Sequence, residues 1–138
     1  MRILVGVDGS TCSIHAATQA GRLASKLRAE LELIYVVPPP LFPSGEGTCE
    51  LDLEGATGNF ARKMLTGVRR GLQDRCPVTK LRVLQGSAAE VLVDQARAQD
   101  VILVVVGSRG HGALARALLG SHSDRVVRHS PKPVLVVK

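Results

Sequence analysis

The sequence is almost without aromatic side chains: its 138 residues include no tryptophan, one tyrosine and two phenylalanines. Tyr35, Phe42 and Phe60 are too few for a platform that stacks nucleobases, and no RNP-like, KH-type or zinc-finger spacing accompanies them. Nucleic acid is therefore not an expected partner. Cysteine is scarce too. Cys12, Cys49 and Cys76 are odd in number and far apart, which argues against a disulfide framework or a CxxC metal clip and fits reduced thiols. Long apolar runs are missing: a stretch such as Val101 to Val106 falls far short of the roughly 20 residues that a membrane-spanning helix requires. The opening MRILVGVD is broken by Asp8 and has no small-residue cleavage pattern. A cytoplasmic protein without a membrane partner is expected. Three chemical signatures are also lacking: GxxxxGK[ST], GxGxxG with an acidic residue about 20 positions on, and the GxSxG nucleophile elbow. His15, His111, His122 and His129 thus make no hydrolytic triad with Asp8 and Ser10. The carboxylates Glu46, Glu50, Asp52 and Glu54 fall in a loop and at a helix start, where they read as solvated.

What is present is a core and a rhythm. With 45% apolar residues, the chain has the size and composition of one domain, residues 1–138. Arg2 to Val7 reads as a buried strand ended by Asp8-Gly9-Ser10, a turn with a helix N-cap. Ile14, Ala17, Gly21, Ala24 and Leu27 recur at helical spacing over about residues 12–29. Leu31 to Val37 is a second strand, and Pro38-Pro39-Pro40 opens a loop, PPPLFPSGEGT, to about Cys49. Phe60, Met64, Leu65, Val68 and Leu72 mark a second helix ending near Cys76-Pro77, and Val78 to Leu84 a third strand. Ser87-Ala-Ala-Glu90 has the form of a capping box opening a third helix to about Ala98. Val101 to Val106 is an aliphatic and so central fourth strand. A last helix holding Val126 and Val127 leads to a fifth strand, Pro133 to Val137. Alternation of this kind predicts an α/β fold, a parallel doubly wound sheet with ligands beyond the carboxyl ends of its strands where the strand order reverses. Asp8, Val36 and the segment from Gly107 onward would meet there.

The formal charge of +6, from 18 basic and 12 acidic residues, leaves anionic small molecules open. Arg62-Lys63 and Arg69-Arg70, on one helical stretch, read as a solvated face. The stretch GSRGHGALARALLGS, Gly107 to Ser121, carries the pattern G-x2-G-x9-G-S. Gly107 and Gly110 let backbone amides face a phosphate without a Cβ in the way. Gly120-Ser121 opens the last helix, whose free amides favour anions, and Ser121 and Ser123 add hydroxyls. Alone, each feature has a plainer reading: the glycines as a tight turn, Asp8 as a cap or turn residue, Arg109 and Arg116 as solvated side chains.

With VGVDGS at residues 5–10 and GSRGHGALARALLGSHSDRVVRHSPKPVLVVK closing the chain, the sequence resembles the universal stress proteins, in the subset that binds ATP. The resemblance covers the whole length. It implies a Rossmann-like five-stranded sheet in the order 3-2-1-4-5 with four helices, a homodimer through the last strand (Val134 to Val137), and ATP in the crevice. Asp8 would contact the nucleoside, with Gly6 and Val7 adjacent and Val36 beside the adenine. Gly107, Arg109, Gly110, Gly120, Ser121 and Ser123 would hold the phosphates through amides and hydroxyls, with Val106 and His122 also at the site. Any Mg2+ would arrive on the nucleotide's own oxygens. Two departures stand out: His122 occupies a place where the family usually has a small aliphatic residue, and the Pro-rich 38–49 loop has no assigned role. Three functions remain in view: an ATP-occupancy sensor with at most slow hydrolysis, a genuine ATPase or phosphotransferase using Asp8 or His122, and an interaction protein independent of nucleotide.

Overall fold

The computed structural model describes residues 1–38, 56–72, 78–110 and 119–138. Strands β1 (Arg2–Gly6), β2 (Glu30–Val37), β3 (Val78–Gln85), β4 (Val101–Gly107) and β5 (Val134–Val137) form one parallel sheet in the order β3-β2-β1-β4-β5. Among the described residues four helices connect them: α1 (Thr11–Leu27), α2 (Ala56–Leu72), α3 (Ala88–Gln95) and α4 (Ser121–His129). The fold is the parallel doubly wound α/β sheet that the alternation predicts, in the Rossmann-like strand order that the resemblance implies. The strand order reverses between β1 and β4, which pair with Val5 opposite Val105.

Apolar side chains alternate to the two faces of the sheet and build two cores. Ile3, Val5, Leu31, Leu33 and Val105 pack beneath α1 and α2, while Leu4, Ile34, Leu84, Val104 and Val106 pack beneath α3 and α4. Alternation along parallel strands covered on both faces is what near-continuous aliphatic runs produce.

The buried face of α1 differs from the expected one. It is made of Ser13, Ala16, Ala17, Ala20, Gly21 and Ala24, leaving Ile14 and Leu27 at 43% and 47% exposure. The small side chains explain the rotation, since they let the helix backbone lie close to the sheet, which branched residues would prevent. In α2, Ala61, Leu65 and Leu72 carry the packing, and Phe60 is 63% exposed rather than part of the core.

Helix ends also shift for identifiable reasons. Ser10 caps α1 as expected, its hydroxyl accepting from the Ser13 amide at 3.2 Å. The helix stops at Leu27, short of residue 29, because Arg28 turns left-handed (φ 52°) and returns its amide to the last turn. The capping box at Ser87 does not form: Ser87 is the N-cap of α3 without a side-chain bond, and Glu90 instead accepts from Arg125 Nη2 at 2.6 Å. A guanidinium outcompetes the single backbone amide of a box for that carboxylate. The end of α3 at Gln95 precedes the expected Ala98. The 38–49 loop beyond Pro38, with Phe42, Glu46 and Cys49, lies outside the described residues, as do Glu50, Asp52, Glu54, Cys76 and Pro77.

One buried charge interrupts the aliphatic sheet. Glu32, 1% exposed, accepts from Arg2 Nη1 at 2.7 Å through Oε2 and from Arg82 Nη1 at 3.3 Å through Oε1. Arg82 also donates to Gln95 Oε1 at 2.7 Å, and Arg2 to Asp100 at 3.0 Å, so β1, β2, β3 and α3 are tied together. Removing the shared carboxylate takes from two largely buried guanidinium groups the buried charge that both bind, although Arg2 keeps Asp100 and Arg82 keeps Gln95. Glu32→Ala is expected to cost about 3 kcal/mol, read as a fall in the urea midpoint at unchanged slope; a change within about 0.5 kcal/mol would show the cluster to be dispensable.

Candidate functional site

A cleft of about 880 Å³ opens at the carboxyl ends of the strands, over the β1/β4 reversal. This is the size of a typical small-molecule site. The structure brings together there every candidate drawn from the sequence: Gly6, Val7 and Asp8 after β1, Val36 at the end of β2, Val106, Gly107, Arg109 and Gly110 after β4, and Gly120, Ser121, His122 and Ser123 at the head of α4. His111 and Arg116 lie outside the described residues.

Two glycines of the motif serve packing as much as access. A Cβ on Gly107 would stand 2.8 Å from the Cys12 carbonyl carbon and 2.9 Å from the Ser13 nitrogen, so the first turn of α1 lies directly on β4. A Cβ on Gly110 would stand 2.5 Å from Asp8 Oδ2. The loop after β4 therefore closes onto the loop after β1 across two positions without a side chain, one facing helix backbone at Gly107 and the other the end of the Asp8 side chain at Gly110.

Asp8 takes the turn role that its position allows. Its Oδ1 accepts from the Ser10 amide at 2.9 Å and from the Ser10 hydroxyl at 2.6 Å, across Gly9 at φ 85°. The Ser10 hydroxyl also lies 3.4 Å from the Arg109 carbonyl, which links the two loops again.

The phosphate end of the expected site is narrower in donors than the sequence implies. The Gly120 amide donates to the Ser108 carbonyl at 2.7 Å, and the Ser123 hydroxyl, 8% exposed, donates to the Gly107 carbonyl at 2.6 Å. Both anchor α4 to β4 rather than point outward. The Ser108 amide is likewise spent on Val137 at 2.6 Å. The amides of Ser121, His122 and Ser123 belong to the first turn, where helix geometry offers no acceptor. Gly120, the N-cap, has no side chain to supply one. The positive end of α4 thus opens into the cleft uncapped, which suits an anion.

The other half of the cleft is apolar, lined by Ile34, Val36, Leu92, Val106 and Val126, with Tyr35 and Pro38 on the β2 side. Sequence reasoning missed most of these, and also the β3–α3 turn, Gly86 to Ala88, which forms a wall. The signal was present in Gly86-Ser87, where a left-handed glycine (φ 144°) precedes a helix start; the strand order then puts that turn beside the end of β2, where the Gly86 amide donates to the Val37 carbonyl at 2.9 Å. Among the described residues no group of three or more His, Cys, Asp or Glu comes together to hold a metal ion.

Asp124 and Arg128 close the first turns of α4 with a 2.8 Å bond. That hydrogen bond, aided by the guanidinium charge, holds the Asp124 carboxyl below its ordinary 3.8. A lowered carboxyl contributes stability above its unfolded value and loses it as the pH falls through its folded value. The protection of the α4 amides, taken relative to their intrinsic exchange rates at each pH, is accordingly expected to fall as the pH drops below about 4, and Asp124→Asn to remove that dependence.

The two glycines separate by experiment. Gly107→Ala is expected to lower unfolding stability by about 1–3 kcal/mol, because helix backbone cannot yield. Gly110→Ala displaces an Asp8 carboxylate at the surface and is expected to stay within about 0.5 kcal/mol. Equal losses in denaturant melts would contradict this assignment.

The family model described as the universal stress protein family matches residues 1–138. A universal stress protein of Methanocaldococcus jannaschii is 33% identical over 139 residues, covering 99% of this chain and 81% of the relative. One from Mycolicibacterium smegmatis is 35% identical over 140 residues, but the chain, 98% covered, spans only 47% of its length, as it does for several mycobacterial relatives. Among solved structures, the universal stress protein UspA from Lactobacillus plantarum superposes with a TM-score of 0.82 at 28% identity, covering 100% of this chain and 97% of that one. A universal stress protein crystallised in complex with cAMP superposes with a TM-score of 0.73 at 25% identity, covering 100% and 96%.

Proposed function

The chain belongs to the universal stress protein family, and on that premise we propose that it is a nucleotide-binding regulatory module that holds ATP in the cleft at the β1/β4 reversal. The observation that carries the reading is the uncapped head of α4, facing a cleft whose opposite half is apolar. A nucleotide has the same polarity. Its phosphates would lie on the Ser121, His122 and Ser123 amides, with Arg109 at the rim, and its base against Val36, Val106 and Leu92. Asp8, held in its turn by Ser10, would meet the ribose. Mg2+, where present, would ride on the phosphate oxygens. The related protein crystallised with cAMP supports an adenine nucleotide as the ligand class.

The way the polar groups are committed supports regulation over turnover. Asp8 Oδ1 is engaged by Ser10 and the Ser123 hydroxyl by Gly107, which gives both a structural task at the cleft. Slow hydrolysis of a solvent-facing triphosphate is compatible with this arrangement. The β5 edge, Val134 to Val137, is apolar and only half-buried, and a homodimer through it would cover it. With no described helix long and apolar enough to cross a membrane, a cytoplasmic setting fits.

The test is direct. Protein purified without added nucleotide is denatured and its released small molecules identified by mass spectrometry, and ATP is then titrated in a thermal melt. Binding at a hundredfold excess over Kd is expected to stabilise the fold by about 2.7 kcal/mol, and Gly110→Val to abolish the shift. Absence of both released nucleotide and shift would leave an interaction protein. Steady turnover lost in Asp8→Asn with binding retained would make it an enzyme.

A further inference from the structure

The two helices that cover one face of the sheet carry charge of a single sign. Across Thr11–Leu27 and Ala56–Leu72 there are six cations, Arg22, Lys26, Arg62, Lys63, Arg69 and Arg70, and no aspartate or glutamate. All six are exposed, and none joins an ion pair with a described residue. The opposite layer is balanced: Glu90 pairs with Arg125, Asp94 with Arg97 and Asp124 with Arg128. Because α1 and α2 pack on the same core, the six charges share one broad face. That face also carries apolar side chains in water, with Phe60 at 63%, Leu27 at 47% and Ile14 at 43% exposure.

We infer that the α1–α2 face is a peripheral docking surface for anionic phospholipid bilayers. The charge attracts a negative headgroup layer, and Phe60, two residues before Arg62-Lys63, inserts at its boundary, the combination that interfacial helices use. Two other anionic partners fit less well. A protein interface uses both signs to fix its register, and among the described residues the two helices of this face carry one. A phosphodiester strand offers no apolar slot for Phe60, Leu27 and Ile14, and one exposed phenylalanine makes no base-stacking platform. No described helix is long and apolar enough to cross the bilayer, so contact is confined to the surface.

The full chain is to be sedimented with vesicles of phosphatidylcholine alone or mixed with phosphatidylserine, and assayed in parallel against duplex DNA. The expected result is retention only on the phosphatidylserine vesicles, lost as the salt rises toward 0.5 M. Arg62→Glu with Arg69→Glu should weaken it more than about tenfold, and Phe60→Ala several-fold with the salt dependence kept. Arg97→Glu with Arg128→Glu, on the balanced layer, should have little effect. Arg62→Lys with Arg69→Lys keeps the charge and should keep binding, which separates electrostatics from misfolding; circular dichroism melts accompany each variant. Equal binding to both vesicle types, no binding, equal loss from reversals on either layer, or tighter binding to DNA than to vesicles would overturn the inference.

Discussion

The structure depends on one close approach. The first turn of α1 rests on β4 at Gly107, where a single added carbon would meet helix backbone at 2.8 Å. That contact lets the loops after β1 and β4 share one crevice, and three further bonds hold it. Ser123 donates to Gly107, Gly120 to Ser108, and Ser108 to Val137, so the head of α4, the exit of β4 and the end of β5 form one unit. Parallel strands alone would have left a crevice at the reversal. The glycine contact and these bonds narrow it, and they fix the direction in which α4 points.

The motif glycines and serines therefore divide their work. Gly107, Gly120 and the Ser123 hydroxyl build the wall: their donors or their missing Cβ are spent inside the protein. Ser121, His122 and Ser123 present their backbone amides, at the positive end of a helix with no side-chain cap. A hydroxyl directed at the chain interior stabilises a site without touching a ligand. Across the cleft, α3 likewise begins without a side-chain cap, and the Glu90 carboxylate that a capping box would use binds Arg125 instead. One ion pair thus joins the two helices that flank the cleft.

Much of this was legible in the sequence. Strand positions, the parallel sheet and a crevice at its reversal followed from alternation and turn chemistry, the strand order from the family resemblance, and the residues of the G-x2-G-x9-G-S pattern that the structure describes meet at one cleft. What escaped was orientation. Periodicity assigned Ile14 and Phe60 to the core because it counts apolar residues without weighing how close a backbone must come; in α1 an alanine and glycine face packs closer and wins, and in α2 the stripe of Ala61, Leu65 and Leu72 leaves Phe60 outside it. The capping box at Ser87 and Glu90 failed because its competitor, Arg125, is 35 residues away. The Glu32 cluster, joining residues from β1, β2 and β3, was invisible for the same reason: its partners are 30 and 50 positions distant.

The claim on which the account turns is that the head of α4 receives an anion. The amide resonances of Ser121, His122 and Ser123 can be followed while ATP, and then inorganic phosphate, is titrated into labelled protein. The account predicts that these three shift most with ATP, that phosphate moves the same amides at higher concentration, and that the Gly120 amide, already bonded to Ser108, shifts less. Shifts centred elsewhere, with the first turn of α4 unmoved at saturation, would contradict it.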